Sequence, residues 1–108
     1  LLLGAGDAET AVTLLENALK KDENDAKLLE ELGRIYKKDG SLDKAATYFE
    51  KGRKVAPVDG NWLRELIEIY EKQKEIPKLI DVMSEQVAND ADDLKSRLRL
   101  ANLLLEAK

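Results

Sequence analysis

Side chains that could carry out catalysis are scarce in this sequence. It contains no histidine and no cysteine, which removes the commonest general base and the only thiolate nucleophile. It also lacks a glycine-rich loop of the kind that binds phosphates. Asp90, Asp92 and Asp93 could together bind a cation, but aspartates at a helix start also stabilise the positive end of the helix dipole. We interpret this cluster as helix capping.

The remaining candidates for acid–base chemistry are glutamates. They lie at helical spacing, each within reach of a lysine or arginine, at Glu30 and Glu31, Glu65 and Glu68, and Glu71 and Glu75. Such carboxylates are typical of a solvated helix face rather than of a general acid and base held in a cleft. The sequence therefore predicts that the protein is not an enzyme and uses no cofactor and no metal.

Trp62 is the only tryptophan, and two roles suit it. An exposed tryptophan often anchors a partner protein. In the repeat pattern described below, however, Trp62 shares a column with Leu28 and Ser96, which turns it partly towards the core. We favour packing over partner binding.

The composition narrows the class of protein. The 108 residues suffice for one small domain, and 44% hydrophobic with 37% charged residues suits a soluble helical protein. The 18 basic and 22 acidic side chains are interleaved and give a net charge of −4, which argues against nucleic-acid binding because that usually needs a basic face. No apolar run approaches the ~20 residues of a membrane span. We expect a soluble protein, with the cytoplasm favoured.

The strongest pattern is a repeat with a period of 34 residues. Residues of one type recur in register in the columns Leu32, Leu66 and Leu100; Leu2, Tyr36, Tyr70 and Leu104; Leu15, Phe49 and Met83; and Asp25, Asp59 and Asp93. Several columns in one register over three periods indicate a structural repeat.

Each period reads as two helices joined by a short turn. The apolar stripe of the first helix consists of Leu28, Leu29, Leu32, Ile35 and Tyr36. Gly40 then suits the left-handed conformation that ends a helix, and Ser41 can cap the next helix with its side chain. Pro57 ends the second helix, and Asp59 can cap the following one.

The spacing of one set of residues resembles the tetratricopeptide repeat pattern W-x2-L-G-x2-Y, A-x3-F, P. The matching residues are Leu29 in place of Trp, Leu32, Gly33, Tyr36, Ala45, Phe49 and Pro57. The resemblance implies an all-α fold, an α-solenoid of antiparallel helix hairpins in which Gly33 and Ala45 allow close approach. The pentatricopeptide class, which binds single-stranded RNA, has a similar period. The acidic balance and the Gly-Tyr-Ala-Phe-Pro spacing favour the tetratricopeptide class.

The resemblance covers the whole chain as one domain of uneven repeats. We predict the end of a first helix and a complete second helix in 1–25, a full repeat in 26–59, a divergent full repeat in 60–93, and a further first helix or capping helix in 94–108. The opening residues LLLGAG would then close the first of these helices.

The divergent repeat has large residues where small ones are expected. Ile67 and Leu79 stand at the places of Gly33 and Ala45, and Lys74 replaces the turn glycine. We expect the larger side chains to push this pair of helices apart.

The resemblance also implies a function, the binding of a partner protein or peptide in a concave groove lined by the first helix of each repeat. The matching outward positions are Lys27, Glu30, Arg34 and Lys37; Asn61, Arg64, Glu68 and Glu71; and Lys95, Leu98, Asn102 and Leu105. Some family members grip a chaperone's C-terminal carboxylate with Lys-x3-Asn and Lys-x3-Arg pairs. Lys95 and Arg99 match the second pair, but Glu30 and Arg34 do not match the first, so we expect no such clamp.

A second hypothesis is self-assembly. The final segment, 94–108, carries leucines on more than one helix face, and a first helix without its second helix leaves an apolar seam exposed. The chain could therefore associate with itself through this segment and act as a scaffold. Solution mass distinguishes this hypothesis from a monomeric peptide receptor.

Overall fold

The computed structural model describes residues 5–57, 61–90 and 92–106, and all regular structure in these ranges is helical. The helices are α1 (Ala5–Lys21), α2 (Ala26–Asp39), α3 (Leu42–Val55), α4 (Trp62–Gln73), α5 (Ile76–Asn89) and α6 (Leu94–Glu106). The chain divides into two compact units, Leu1–Trp62 and Leu63–Lys108.

The start of the chain differs from the sequence prediction. Ala5 and Gly6, which we expected to close a preceding helix, belong to α1. The predicted helix end in residues 1–4 and the predicted cap at Asp59 lie outside the described residues.

In the first unit, α1, α2 and α3 enclose a core in which aromatic rings lie against glycines. The fully or almost fully buried side chains include Leu29, Leu32, Ala45 and Phe49. A Cβ atom added at Gly33 would lie 2.6 Å from Cε1 of Phe49. We expected Ala45 to be the close neighbour of Gly33, but the three nearest atoms all belong to the Phe49 ring. The glycine makes room for an aromatic ring rather than for a small residue.

Trp62 fills the second glycine position of this unit. A Cβ atom at Gly52 would lie 2.5 Å from Cη2 of Trp62, whose side chain is almost fully buried. The indole N–H donates a hydrogen bond to the carbonyl oxygen of Ala56 at 2.8 Å, so the polar end of the ring is paired. The packing role predicted for Trp62 is confirmed.

The helix ends of this unit follow the sequence prediction in part. Asp25 caps α2, because its Oδ1 accepts hydrogen bonds from the backbone N–H groups of Lys27 and Leu28. Gly40 takes the left-handed conformation at φ 88°. Ser41 precedes α3 but makes no side-chain cap, and its hydroxyl donates to Oδ2 of Asp39 instead. The predicted capping bond of Ser41 is therefore wrong.

The second unit holds the rest of α4 together with α5 and α6. Its core is aliphatic, apart from Tyr70, and is formed by Leu66, Ile67, Ile69, Tyr70, Leu79, Val82 and Met83. Two residues, Lys74 and Glu75, connect α4 to α5, and Lys74 takes the left-handed conformation at φ 56°. Pro77 lies in the first turn of α5, where its missing N–H costs nothing.

The register of 34 residues holds in the backbone. Helix α3 runs from 42 to 55 and α5 from 76 to 89, an offset of 34 at both ends. The last bond of α3, from Ala56 N–H to Gly52 O at 2.8 Å, recurs from Asp90 N–H to Gln86 O at 3.0 Å. The repeat period predicted from the sequence is confirmed. The separation of α4 from α5, and the boundaries of the individual repeats, stay predictions.

Candidate partner-binding surfaces

The predicted groove residues of the first unit lie along one face of α2. Lys27, Glu30, Arg34 and Lys37, which we call the α2 face, follow one another at intervals of three or four residues. Lys27 and Arg34 are exposed, while Glu30 and Lys37 are partly buried. Glu30 and Arg34 form an ion pair at 3.7 Å, as their spacing predicts. Asn61, also predicted to line the groove, is exposed in the turn before α4.

In the second unit, predicted groove residues occur on two helices. Arg64, Glu68 and Glu71 form the α4 face, and all three are exposed. Lys95, Leu98, Asn102 and Leu105 form the α6 face, and all four are exposed.

An ion pair connects these two helices. The guanidinium of Arg99 on α6 pairs with the Glu71 carboxylate on α4. Arg99 is the residue that matched the arginine of a carboxylate clamp, so in this structure its charge is directed to a carboxylate of the protein itself. This agrees with the expectation that the chain has no chaperone clamp.

The start of α6 is fixed by a cap. Oδ1 of Asp93 accepts a hydrogen bond from the Ser96 N–H at 3.1 Å, and Oδ2 accepts one from the Ser96 hydroxyl at 2.7 Å. These bonds, with Ser96 as the donor, hold the pKa of Asp93 below its usual range. The capping role predicted for the aspartate cluster is confirmed at Asp93. Among the described residues, no group of His, Cys, Asp and Glu could hold a metal ion.

One polar cluster of the first unit was missed by the sequence analysis. Oε2 of Glu16 on α1 accepts hydrogen bonds from the hydroxyls of Tyr48 at 2.8 Å and Tyr36 at 3.4 Å. The two tyrosine rings stack with centroids 5.7 Å apart, and Nζ of Lys44 lies 5.3 Å from the centre of the Tyr36 ring. Burial, and then the Glu16 carboxylate, raise the pKa of both tyrosines.

The physical role of this cluster is to join three helices. Glu16 lies on α1, Tyr36 on α2 and Tyr48 on α3, so one carboxylate bridges all of them. A polar residue within an apolar helical stripe, as Glu16 is beside Leu15 and Leu19, was the signal available in the sequence. We had counted Glu16 only as half of a pair with Lys20. Tyrosines this hard to ionise are hydrogen-bond donors at neutral pH, not bases.

Comparison with known proteins identifies the family. A family model for the tetratricopeptide repeat matches residues 2–66. The chain belongs to the tetratricopeptide repeat family. Its fold is an all-α helical-repeat solenoid, as the sequence predicts.

Two solved tetratricopeptide repeat structures are similar to this chain. A crystal structure of MamA has a TM-score of 0.73 at 20% identity, with coverage of 94% of this chain and 60% of that one. TTC0263, a thermophilic TPR protein in Thermus thermophilus, has a TM-score of 0.68 at 24% identity, with coverage of 94% and 52%. This chain therefore spans about half to three fifths of the length of either protein. No curated protein sequence matches it.

Membership in this family gives a general function. Tetratricopeptide repeats are protein–protein interaction modules, and members of the family are in general non-catalytic scaffolds. None of the helices searched among the described residues is both long and apolar enough to cross a membrane.

Proposed function

We propose that this chain binds a segment of a partner protein through the outward faces of its first-type helices. These are the α2 face with Asn61 in the first unit, and the α4 and α6 faces in the second. The partner segment would lie in the concave groove that the family builds from such helices. No chemistry follows binding, and no cofactor takes part.

The observation that carries this proposal is accessibility. Ten of the twelve predicted residues are exposed and the other two, Glu30 and Lys37, are partly buried. The opposite sides of the same helices are buried at Leu29, Leu32 and Leu66. The fold therefore uses one side of each helix for its core and leaves the predicted side available to a partner.

The chemistry of the three faces differs. The α2 face has three basic side chains and one glutamate, whereas the α4 face has two glutamates and one arginine. Exposed charges contribute little affinity each but strongly favour a partner of complementary charge order. The α6 face adds two leucines, which can be desolvated at lower cost. A partner segment would be selected by this order of charge and apolar surface.

Peptide selection followed by charge reversal tests the proposal. Random peptides displayed on phage are selected on the wild-type protein, and the binding of each selected peptide is measured by fluorescence polarisation. The same peptides are then titrated with the variants Lys27→Glu and Arg64→Glu. The matched control is Lys51→Glu, which makes the same charge change at an exposed position of α3 outside the predicted faces.

We expect Lys27→Glu or Arg64→Glu to change affinity by about tenfold, while Lys51→Glu leaves it within about twofold. Peptides that bind both face variants as well as wild type, or that are lost only in Lys51→Glu, would overturn the proposal. Circular dichroism of each variant verifies that its helices are intact.

A further inference from the structure

We infer that the α6 face binds an acidic amphipathic helix of the partner protein. This inference rests on the proposed function and adds the class of partner. It is carried by three features of α6: a continuous leucine stripe, its absence from the equivalent helices, and the charges on either side of it.

The leucines of α6 form an exposed apolar stripe. Leu94, Leu98 and Leu105 are 66%, 60% and 65% exposed, and Ala101 between them is also exposed. These residues follow the i, i+4, i+7, i+11 spacing of one helix face. The stripe is about 16 Å long, which matches roughly three turns of a second helix. A partner helix with apolar residues at i, i+3 or i+4, and i+7 would cover it.

The repeat itself does not require leucines at these positions. One period earlier, Leu98 and Leu105 correspond to Arg64 and Glu71, and two periods earlier to Glu30 and Lys37. In α2 and α4, therefore, the same positions carry charged side chains and the helices still form. The apolar character of α6 at this face is an addition to the repeat pattern rather than part of its core.

Packing of neighbouring helices leaves these positions accessible. Helix α2 is packed by both α1 and α3, yet Glu30 and Lys37 keep part of their surface in solvent. The inward residue of the same helix, Leu32, has no exposed surface. A helix packed beside α6 in the same way would leave Leu98 and Leu105 accessible, so a partner is the better occupant of the stripe.

The charges beside the stripe are basic. At 100° per residue, Lys95 and Arg99 lie on one side of the leucines and Arg97 lies on the other. The only acidic residue of α6 is Glu106, at its last position. Arg99 pairs with Glu71, so Lys95 is the nearer cation on its side of the stripe. An apolar strip between basic flanks is complementary to a helix whose apolar strip lies between acidic flanks.

Two libraries of amphipathic helices test this inference. Both are displayed on phage as helices of about 14 residues, roughly four turns, with the same randomised apolar positions. The polar positions encode Asp and Glu in one library and Lys and Arg in the other, and the two are mixed at equal titre. Selection is done on wild type, Leu98→Asp, Leu105→Asp and Leu14→Asp. Leu14 on α1 is 65% exposed, so it is a matched control for loss of an exposed leucine.

We expect the acidic library to be enriched by about tenfold over the basic one on wild type. The whole chain has a net charge of −4, which by itself favours the basic library, so this result requires a local basic site. The enrichment should disappear on Leu98→Asp and Leu105→Asp and persist on Leu14→Asp. Equal enrichment of the two libraries, preference for the basic one, or enrichment that survives both α6 variants would overturn the inference.

A second copy of the chain is the competing occupant, and solution mass identifies it. Light scattering over a roughly hundredfold range of concentration should show one mass for wild type and Leu98→Asp alike. A wild-type dimer that Leu98→Asp abolishes would overturn the inference in favour of self-assembly. Failure here is distinct from failure of the proposed function, because peptides that depend on Lys27 or Arg64 but not on Leu98 refute only the acidic-helix partner.

Discussion

The hairpins α2–α3 and α4–α5 end their first helices in the same way with different residues. Gly40 and Lys74, 34 residues apart, both take the left-handed conformation. The N–H of Ser41 bonds to Tyr36 O at 2.9 Å, and the N–H of Glu75 bonds to Tyr70 O at 3.0 Å. Both ends are therefore Schellman motifs. The hydrogen-bond pattern determines this turn, and glycine only lowers its cost.

The interiors of the two hairpins differ far more than their turns. In α2–α3, Gly33 lies against the Phe49 ring, and Gly52 at the end of α3 lies against Trp62. At the equivalent positions of α4–α5 the chain has Ile67 and Gln86. Ile67 is buried, so an aliphatic side chain occupies the place that a glycine and an aromatic ring share in the first hairpin. The repeat conserves volume and backbone register while exchanging the residues that fill the volume.

The largest expected effect comes from placing a large residue into the glycine position. We expect Gly33→Leu to lower the free energy of unfolding by about 3 kcal/mol or more, because Phe49 has no exposed surface and cannot move aside. The gain in helix propensity offsets only about 1 kcal/mol. Urea unfolding followed by the fluorescence of Trp62, which lies in the same unit, measures this change.

The equivalent position of the second hairpin supplies the control. Ile67→Leu changes shape but not volume and should cost less than about 1.5 kcal/mol. An unchanged unfolding midpoint for Gly33→Leu would show that the contact between α2 and α3 is not as close as described, and would remove the contrast between the hairpins.

A smaller effect is expected from the polar cluster that joins α2–α3 to α1. Glu16→Gln replaces a charge-assisted hydrogen bond from Tyr48 by a neutral one, and we expect a loss of about 1 kcal/mol because charged bonds are roughly twice as strong. Glu50, one period later, is the control. It forms a partly exposed ion pair with Arg53 at 2.9 Å, so Glu50→Gln should cost about 0.5 kcal/mol or less.

The same cluster predicts a dependence of stability on alkaline pH. The pKa values of Tyr36 and Tyr48 are raised in the folded protein, above the value of about 10 in the unfolded chain. The stabilisation is therefore complete below about pH 10 and is lost as pH rises above it, where the unfolded chain releases protons first. In Glu16→Gln this loss should be shallower. Thermal unfolding across alkaline pH, with Tyr48→Phe to assign the effect, tests this. Equal pH dependence in wild type and Glu16→Gln would contradict it.

These contrasts explain what the sequence could and could not predict. The period, the helices and the left-handed turn at Gly40 depend on residues close in sequence, and the helical spacing encodes them. Contacts between helices depend on residues far apart in sequence, such as Glu16 and Tyr48, and no pattern along one helix reveals them. The same limit explains why Gly33 was recognised as a close-contact residue but was assigned the wrong neighbour.

The α6 face illustrates the same limit for function. The leucines of 94–108 were visible in the sequence, but the repeat pattern alone did not separate inward from outward ones. Leu100 and Leu103 are partly buried, while Leu98 and Leu105 are mostly exposed. This division turns a generally apolar segment into a defined stripe. The predicted positions of the α2 face gain less from the structure, because their exposure alone does not distinguish a binding face from a solvated one.

The smallest expected effect tests the comparison of the two turns directly. A lysine in the left-handed conformation is strained relative to glycine, so we expect Lys74→Gly to stabilise the protein by roughly 0.5 kcal/mol after the greater entropy of glycine in the unfolded chain is subtracted. Gly40→Ala should have the opposite sign and a similar size, because it introduces the same strain at the equivalent position. Thermal unfolding followed by circular dichroism measures both. If Lys74→Gly destabilises the protein, then the lysine side chain contributes contacts that outweigh the strain, and the two turns are alike in backbone but not in what holds them.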